Sequence, residues 1–150
     1  MKIVVLKFGG TSVGTIEKIK KVTDIIIEHK KKKNKVIVVS SAMSGVTNDL
    51  IKKSKQISNN FIDSEYDVLL SSGEQVACSL IAGRLNHKGF KSRSWLGWQI
   101  PIFTNGPYSN SRIQQVNKNK LLRFLKEGGI PIITGFQGVN MNERVTTIGR

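Results

Sequence analysis

Short aliphatic runs, each closed by small polar residues and separated by stretches of helical periodicity, set what this chain can fold into. Residues 3–6 run into Lys7, Phe8, Gly9 and Gly10; residues 36–39 run into Ser40 and Ser41; a third run begins at Ile130 and stops at Thr134. Unbroken apolar runs of this length read as strands buried on both faces, as in a parallel sheet. Parallel neighbours need crossovers, and helices supply them. Residues 15–33 put Ile16, Ile19, Val22 and Ile26 on one helical face, with Thr15 as N-cap and a lysine run at the negative end of the dipole. A second helix starts near Thr47 or Asn48 and carries Leu50, Ile51 and Ile57. Residues 59–66 are polar and acidic and read as a loop. Residues 67–86 form a further helix with Leu69, Leu70, Val76, Leu80, Ile81 and Leu85, stopped at Gly89.

Residues 91–95 and 100–104 read as short strands, Asn117 caps a helix that ends at Lys126, and residues 138–142 read as a turn before a strand over 145–148. The alternation predicts an α/β protein: a three-layer α/β/α sandwich with a mostly parallel sheet and helices on both faces. At 150 residues the chain is one domain's worth. It stops at Gly149 and Arg150, directly after a predicted strand, where an open α/β sheet carries its ligand loops. It therefore reads as a truncated chain rather than a small complete domain.

Composition narrows the function classes. No aliphatic run exceeds about four residues, far from the ~20 that a bilayer needs, so no membrane span is expected. A single cysteine, Cys78, cannot form an intrachain disulfide and sits among apolar neighbours as a small core residue. These features favour a cytoplasmic protein. The net charge is +14, from 24 Lys and Arg against 10 Asp and Glu. The lysines are scattered over helix ends and polar faces, and few aromatics are interleaved with them. A stacking platform for nucleic acid is missing, so solvated helix faces are the better reading. The positive field would equally draw in a polyanionic small substrate such as a nucleotide.

The polar residues at strand ends carry the chemistry. Lys7 supplies a cation, Gly9 and Gly10 permit a sharp turn with exposed amides, and Thr11 and Ser12 add hydroxyl donors. A strand tip so furnished suits phosphate. Neither the P-loop pattern nor G-x-G-x-x-G occurs. A second group, residues 40–49, is a hydroxyl-rich loop opening a helix. A third, Ser71-Ser72-Gly73-Glu74, places a carboxylate inside an otherwise apolar helix. A fourth joins Gly135-Phe136-Gln137-Gly138 to the terminal Gly149-Arg150.

In order and spacing these segments resemble the aspartate kinases of the amino-acid kinase superfamily. The resemblance rests on Lys-Phe-Gly-Gly-Thr-Ser-Val from Lys7 to Val13, Ser41-Ala42-Met43 with Thr47-Asn48, and Ser72-Gly73-Glu74. Gly97-Trp98-Gln99, Gly135-Phe136-Gln137-Gly138 and Thr146-Thr147-Ile148-Gly149-Arg150 extend it over essentially the whole chain. Kinases of acetylglutamate, glutamate or uridylate share the fold but differ in the second and third motifs.

The resemblance implies transfer of the γ-phosphoryl group of ATP to the β-carboxylate of L-aspartate, the opening step toward lysine, threonine and methionine. A carboxylate acceptor has an ordinary pKa near ~4 and is already an anion, so no general base is needed. No Ser/His/Asp or Cys/His arrangement stands out, and His29 and His87 lie in polar surroundings. By the resemblance, Lys7, Phe8, Gly9, Gly10, Thr11 and Ser12 hold the ATP phosphates, with Lys7 stabilising the group in transfer. Ser41 and Thr47 contact aspartate, Glu74 pairs with its ammonium, Arg150 grips its α-carboxylate, and Phe136 supplies a backbone or wall contact. Magnesium is implied with ATP and would be held mainly by the nucleotide, since no metal-ligand cluster is visible. The family continues past Gly-Arg into a Gly-Gly-Ser-Asp segment, a nucleotide-binding half and regulatory ACT domains. Ser111 stands where the family usually has alanine. The implied working form is a homo-oligomer acting on small molecules, and the isolated 150-residue chain is expected to have little or no activity.

Overall fold

The computed structural model describes residues 2–149, so the role expected of Arg150 falls outside the described residues. In chain order the elements are β1 (Ile3–Phe8), α1 (Ile16–Lys31), β2 (Lys35–Ser40), α2 (Val46–Ile57), α3 (Asp63–His87), β3 (Ser92–Trp95), β4 (Ile102–Asn105), β5 (Arg112–Val116), α4 (Asn119–Lys126), β6 (Ile130–Thr134), β7 (Gln137–Val139) and β8 (Val145–Thr147). One sheet has the order β1-β2-β6-β3 and is parallel throughout. A second has the order β5-β4-β7-β8 and mixes directions.

The central strands of the first sheet, β2 and β6, are covered on both faces. Val36, Val38, Ile130 and Ile132 point into a core with Ile19, Val22 and Ile26 of α1 and Ala77, Ile81 and Leu85 of α3. Their strand neighbours Ile37, Val39 and Ile133 point the other way, against Trp95, Ile100, Leu121 and Phe124. Alternation along each strand builds both apolar faces, which is why these runs contain no polar residue. Three layers result, as the patterning of strands and helices predicts.

Several local expectations are corrected. Residues 3–6 are not a fully buried strand: among the described residues β1 pairs only with β2, and Ile3 and Val5 are 50% and 62% exposed. Only Leu6 and Phe8 of this strand pack against the α1/α3 core. Residues 63–66 belong to α3 rather than to a loop, because Asp63 and Glu65 sit in its first turn, where carboxylates meet the positive end of the dipole. Ile57 of α2 is exposed rather than core-facing.

Strand β5 carries no burial periodicity, since all its residues are exposed, and so had no sequence signal. Gln137–Val139 is a buried strand and not a turn. A Cβ on Gly138 would lie 2.7 Å from the Ile102 carbonyl, so glycine is what lets β7 approach β4. The turn falls later, where the Asn140 and Glu143 N–H groups bond the Arg144 and Asn140 carbonyls. Asn117 does not occupy the cap position of α4, which Lys118 holds; its Oδ1 accepts from the Asn119 N–H at 3.2 Å. Thr15 does cap α1, accepting from the Lys18 N–H at 3.2 Å, and Gly89 follows α3 with φ +81°.

Candidate active site

The carboxyl ends of three parallel strands lie level, since Phe8 pairs with Ser40 and Ser40 with Thr134. The ladder runs one residue further: the Ser41 N–H donates to the Phe8 carbonyl at 3.0 Å and the Gly135 N–H to the Ser40 carbonyl at 2.9 Å. The loops that follow therefore start side by side, at the edge where open α/β sheets bind ligands. They enclose a cleft of about 520 Å³.

Lys7, Gly10, Ser41, Thr47, Glu74 and Phe136 all line this cleft. Lys7 stands opposite Val39 in the strand register, and both side chains reach the same space. Gly10 eases a close approach, because a Cβ there would come within 3.1 Å of the Ala42 carbonyl. Gly45 has φ +85° and opens α2 without a side-chain cap. Gly45 and Thr47 border the cleft, so the positive end of the α2 dipole does too.

Glu74 reaches the cleft from the middle of α3. Gly73 beside it would, with a Cβ, come within 2.9 Å of the Ala42 side chain. The missing side chain lets α3 lie against the loop after β2. Glu74 is 3% exposed, and its Oε1 accepts from the Ala42 N–H at 3.2 Å. About one turn further along, Cys78 is buried in the main core. Desolvation, reinforced by the nearby negative charge of Glu74, pushes its thiol up to about 12. Cys78 is thus expected to be protonated at pH 8 and to resist iodoacetamide in the folded protein, while reacting readily in guanidinium. Fast alkylation without denaturant would contradict this burial.

Phe136 is left-handed, with φ +64°. That conformation is uncommon for a bulky residue and needs support from its surroundings. Its carbonyl accepts from the Ile148 N–H at 2.9 Å, which joins the turn after β6 to the end of β8. Phe8, Thr11 and Ser12 are not on the cleft; they line an adjoining hollow of about 260 Å³ together with Lys18 and Lys21. The Thr11 carbonyl accepts from the Lys18 ammonium at 2.9 Å, and the Ser12 N–H closes a turn on the Gly9 carbonyl. Gly9 lies in the chain between Phe8 and Gly10. His29 and His87 touch neither space. Among the described residues there is no group of three or more His, Cys, Asp or Glu able to hold a metal ion.

Asp67 is the residue that sequence reasoning passed over. It is fully buried and accepts from Ser109 and Thr147. Its only sequence signal is an acid seven positions before Glu74, a spacing that puts both on one face of a helix. No helix among the described residues is long and apolar enough to cross a membrane.

Layered helices around a parallel sheet, with a lysine, hydroxyls and a buried carboxylate meeting at the strand ends, define an α/β protein with a polar ligand cleft. Its family follows from sequence: the amino acid kinase family profile matches residues 2–150, and the chain belongs to that family. The chain is 47% identical over its whole length to an aspartokinase of Geobacillus stearothermophilus and covers 37% of that protein. It is 46% identical to an aspartokinase of Rickettsia conorii, covering 38% of it. It thus spans little more than a third of these relatives. Among solved structures it resembles the aspartate kinase from Synechocystis, with 36% identity and a TM-score of 0.79 over all of this chain and 24% of that one. It also shares the fold of E. coli aspartokinase III in complex with aspartate and ADP, with a TM-score of 0.84 at 22% identity over all of this chain and 44% of that one.

Proposed function

We propose that this chain carries the aspartate-binding and phosphoryl-transfer part of an aspartate kinase, which moves the γ-phosphoryl group of ATP to the β-carboxylate of L-aspartate. The observation that carries the reading is the convergence of Lys7, Ser41, Thr47 and Glu74 on one cleft at the carboxyl ends of parallel strands. Identity above 40% to several aspartokinases supports it. A complex of a structural relative contains aspartate and ADP, the substrate and product this reading requires.

In the reaction a β-carboxylate oxygen attacks the γ-phosphorus, and the bond from that phosphorus to the bridging oxygen of ADP breaks. No proton changes place, so a cleft without a histidine is chemically sufficient. The obstacle is the approach of two anions, which positioning and positive charge relieve. Lys7 meets the phosphoryl oxygens as negative charge develops there. The Gly9 and Gly10 amides hold the phosphate chain beside it, while Thr11 and Ser12 face the adjoining hollow and act on the phosphates only through the turn they form. Ser41 and Thr47 orient the acceptor, Glu74 receives its ammonium, and Phe136 walls the site. Arg150 meets the α-carboxylate in the same reading. Magnesium would arrive bound to the nucleotide phosphates. The adenine pocket is assigned to the part of the relatives' length that this chain does not span. The positive net charge serves the anionic substrates rather than nucleic acid. The full-length enzyme is read as a cytoplasmic homo-oligomer at the head of lysine and threonine synthesis.

The test is trapping of the acyl phosphate. A kinase chain of its relatives' length, given ATP, L-aspartate and hydroxylamine, is expected to accumulate aspartyl hydroxamate in an ATP-dependent way. Hydroxamate from glutamate or N-acetylglutamate, with none from aspartate, would overturn the substrate assignment.

A further inference from the structure

We propose that Asp67 is a positioning residue for the amino-acid site: it locks the cleft wall formed by residues 148–149 to the helix that carries Glu74. The inference rests on the aspartate-kinase reading. Asp67 lies near the start of α3, fully buried. Its Oδ1 accepts from the Ser109 N–H and hydroxyl, each at 3.0 Å, and from the Thr147 hydroxyl at 2.7 Å. Its Oδ2 accepts from the Thr147 N–H at 2.7 Å and shares the Ser109 N–H at 3.0 Å. Every partner is a donor, so the position calls for an acceptor-only group, and a carboxylate is the side chain that is one.

The consequence reaches the cleft through the chain. Thr147 ends β8, and the next two residues, Ile148 and Gly149, line the cleft. Their amides are held in turn: the Ile148 N–H by the Phe136 carbonyl at 2.9 Å and the Gly149 N–H by the Ser111 carbonyl at 3.0 Å. The Ser111 N–H returns to the Thr147 carbonyl at 3.0 Å, so the segment after Ser109 and the end of β8 form one tied unit. Asp67 fastens both halves of that unit to α3. Glu74 lies seven residues on, about two turns and ~10 Å along the same helical face. One rigid helix therefore carries the buried carboxylate and also sets where the 148–149 wall stands relative to it. Arg150, which the reading gives to the α-carboxylate, follows Gly149 directly in the chain. Asp67 itself does not line the cleft.

The experiment compares the whole kinase with its Asp67→Asn form, which keeps the volume but turns an amide NH2 toward backbone and hydroxyl donors. The expected result is a rise of about tenfold in KM for aspartate, with KM for ATP changed by less than about twofold. Thr147→Val, which removes one hydroxyl donor and leaves the backbone bond, should raise the aspartate KM in the same direction by about threefold. A lowered melting temperature with an unchanged aspartate KM would make Asp67 merely structural and overturn the proposal, as would a parallel rise in both KM values. If Asp67→Asn does not fold, Thr147→Val and Ser109→Ala decide: an unmoved aspartate KM in both overturns it. Wild-type enzyme that fails to phosphorylate aspartate would instead remove the functional reading, a different and separately visible failure.

Discussion

Replacing Lys7 by alanine is expected to lower aspartyl hydroxamate formation by about a hundred- to a thousandfold, the cost typical of losing one group aimed at charge developing in a transition state. The reason is the position of this lysine. It lies one residue before the end of β1, in register with Val39, and reaches the cleft between the loops that leave β1, β2 and β6. A cation there lowers the repulsion between an acceptor carboxylate and a triphosphate most strongly when the two are closest, which is in transfer rather than in binding. The loss should therefore fall on kcat, with KM for aspartate little changed. Lys7 is exposed on an edge strand, so the substitution leaves the packed core intact and melting temperature should hardly move. Single-turnover measurements with the whole kinase check it. Undiminished turnover in Lys7→Ala would remove the lysine from the mechanism.

Glu74→Gln is expected to act on the other parameter. Glutamine preserves the shape and can still accept from the Ala42 N–H, so the link between α3 and the loop after β2 survives. What disappears is the negative charge. If Glu74 receives the ammonium of aspartate, KM for aspartate should rise by about ten- to a hundredfold, the range for losing a hydrogen bond between charged groups. The sharper readout is selectivity. Succinate has the same two carboxylates as aspartate and lacks the amino group, so the wild-type preference for aspartate over succinate should shrink by a similar factor in the variant. If Glu74 were only a strut for Ala42, glutamine would restore the strut and the preference would stay as it is. Together the two substitutions separate transfer from recognition within one cleft.

Layering and the location of the cleft were both legible in advance, for a physical reason. Val36, Val38, Ile130 and Ile132 have to be apolar because they are covered from one side, and their neighbours Ile37, Val39 and Ile133 because they are covered from the other. That requirement writes itself into contiguous residues. The strand ends are marked with equal clarity, since Lys7, Ser40 and Thr134 close the apolar runs and Gly9, Ser41 and Gly135 follow where the chain turns. Signals of this kind are local, and the chain carries them residue by residue.

What stayed hidden depended on partners distant in sequence. The exposure of Ile3 and Val5 follows from the face they share, since α4 packs on β6 and β2 of that side, and no property of residues 3–8 reveals it. The second sheet pairs β4 with β5 and β7 through short, polar or glycine-containing strands, whose only requirement is a complementary edge. Phe8, Thr11 and Ser12 lie next to Lys7 and Gly10 in sequence, yet they face a different hollow, because successive residues of a strand and its turn point in different directions. Asp67 became significant only when folding brought Ser109 and Thr147, 42 and 80 residues away, to its carboxylate.

Sequence alone therefore determined the alternation of the main strands and helices around the parallel sheet, the layers and the chemical character of the strand-end loops, since each is set by which residues must avoid water and where the backbone must bend. The tertiary structure alone decided which of those loops share a cleft, which strand is left at the edge, and which buried acid holds the walls in place. These are matters of distance between remote residues, and such distances exist only once the chain has closed on itself.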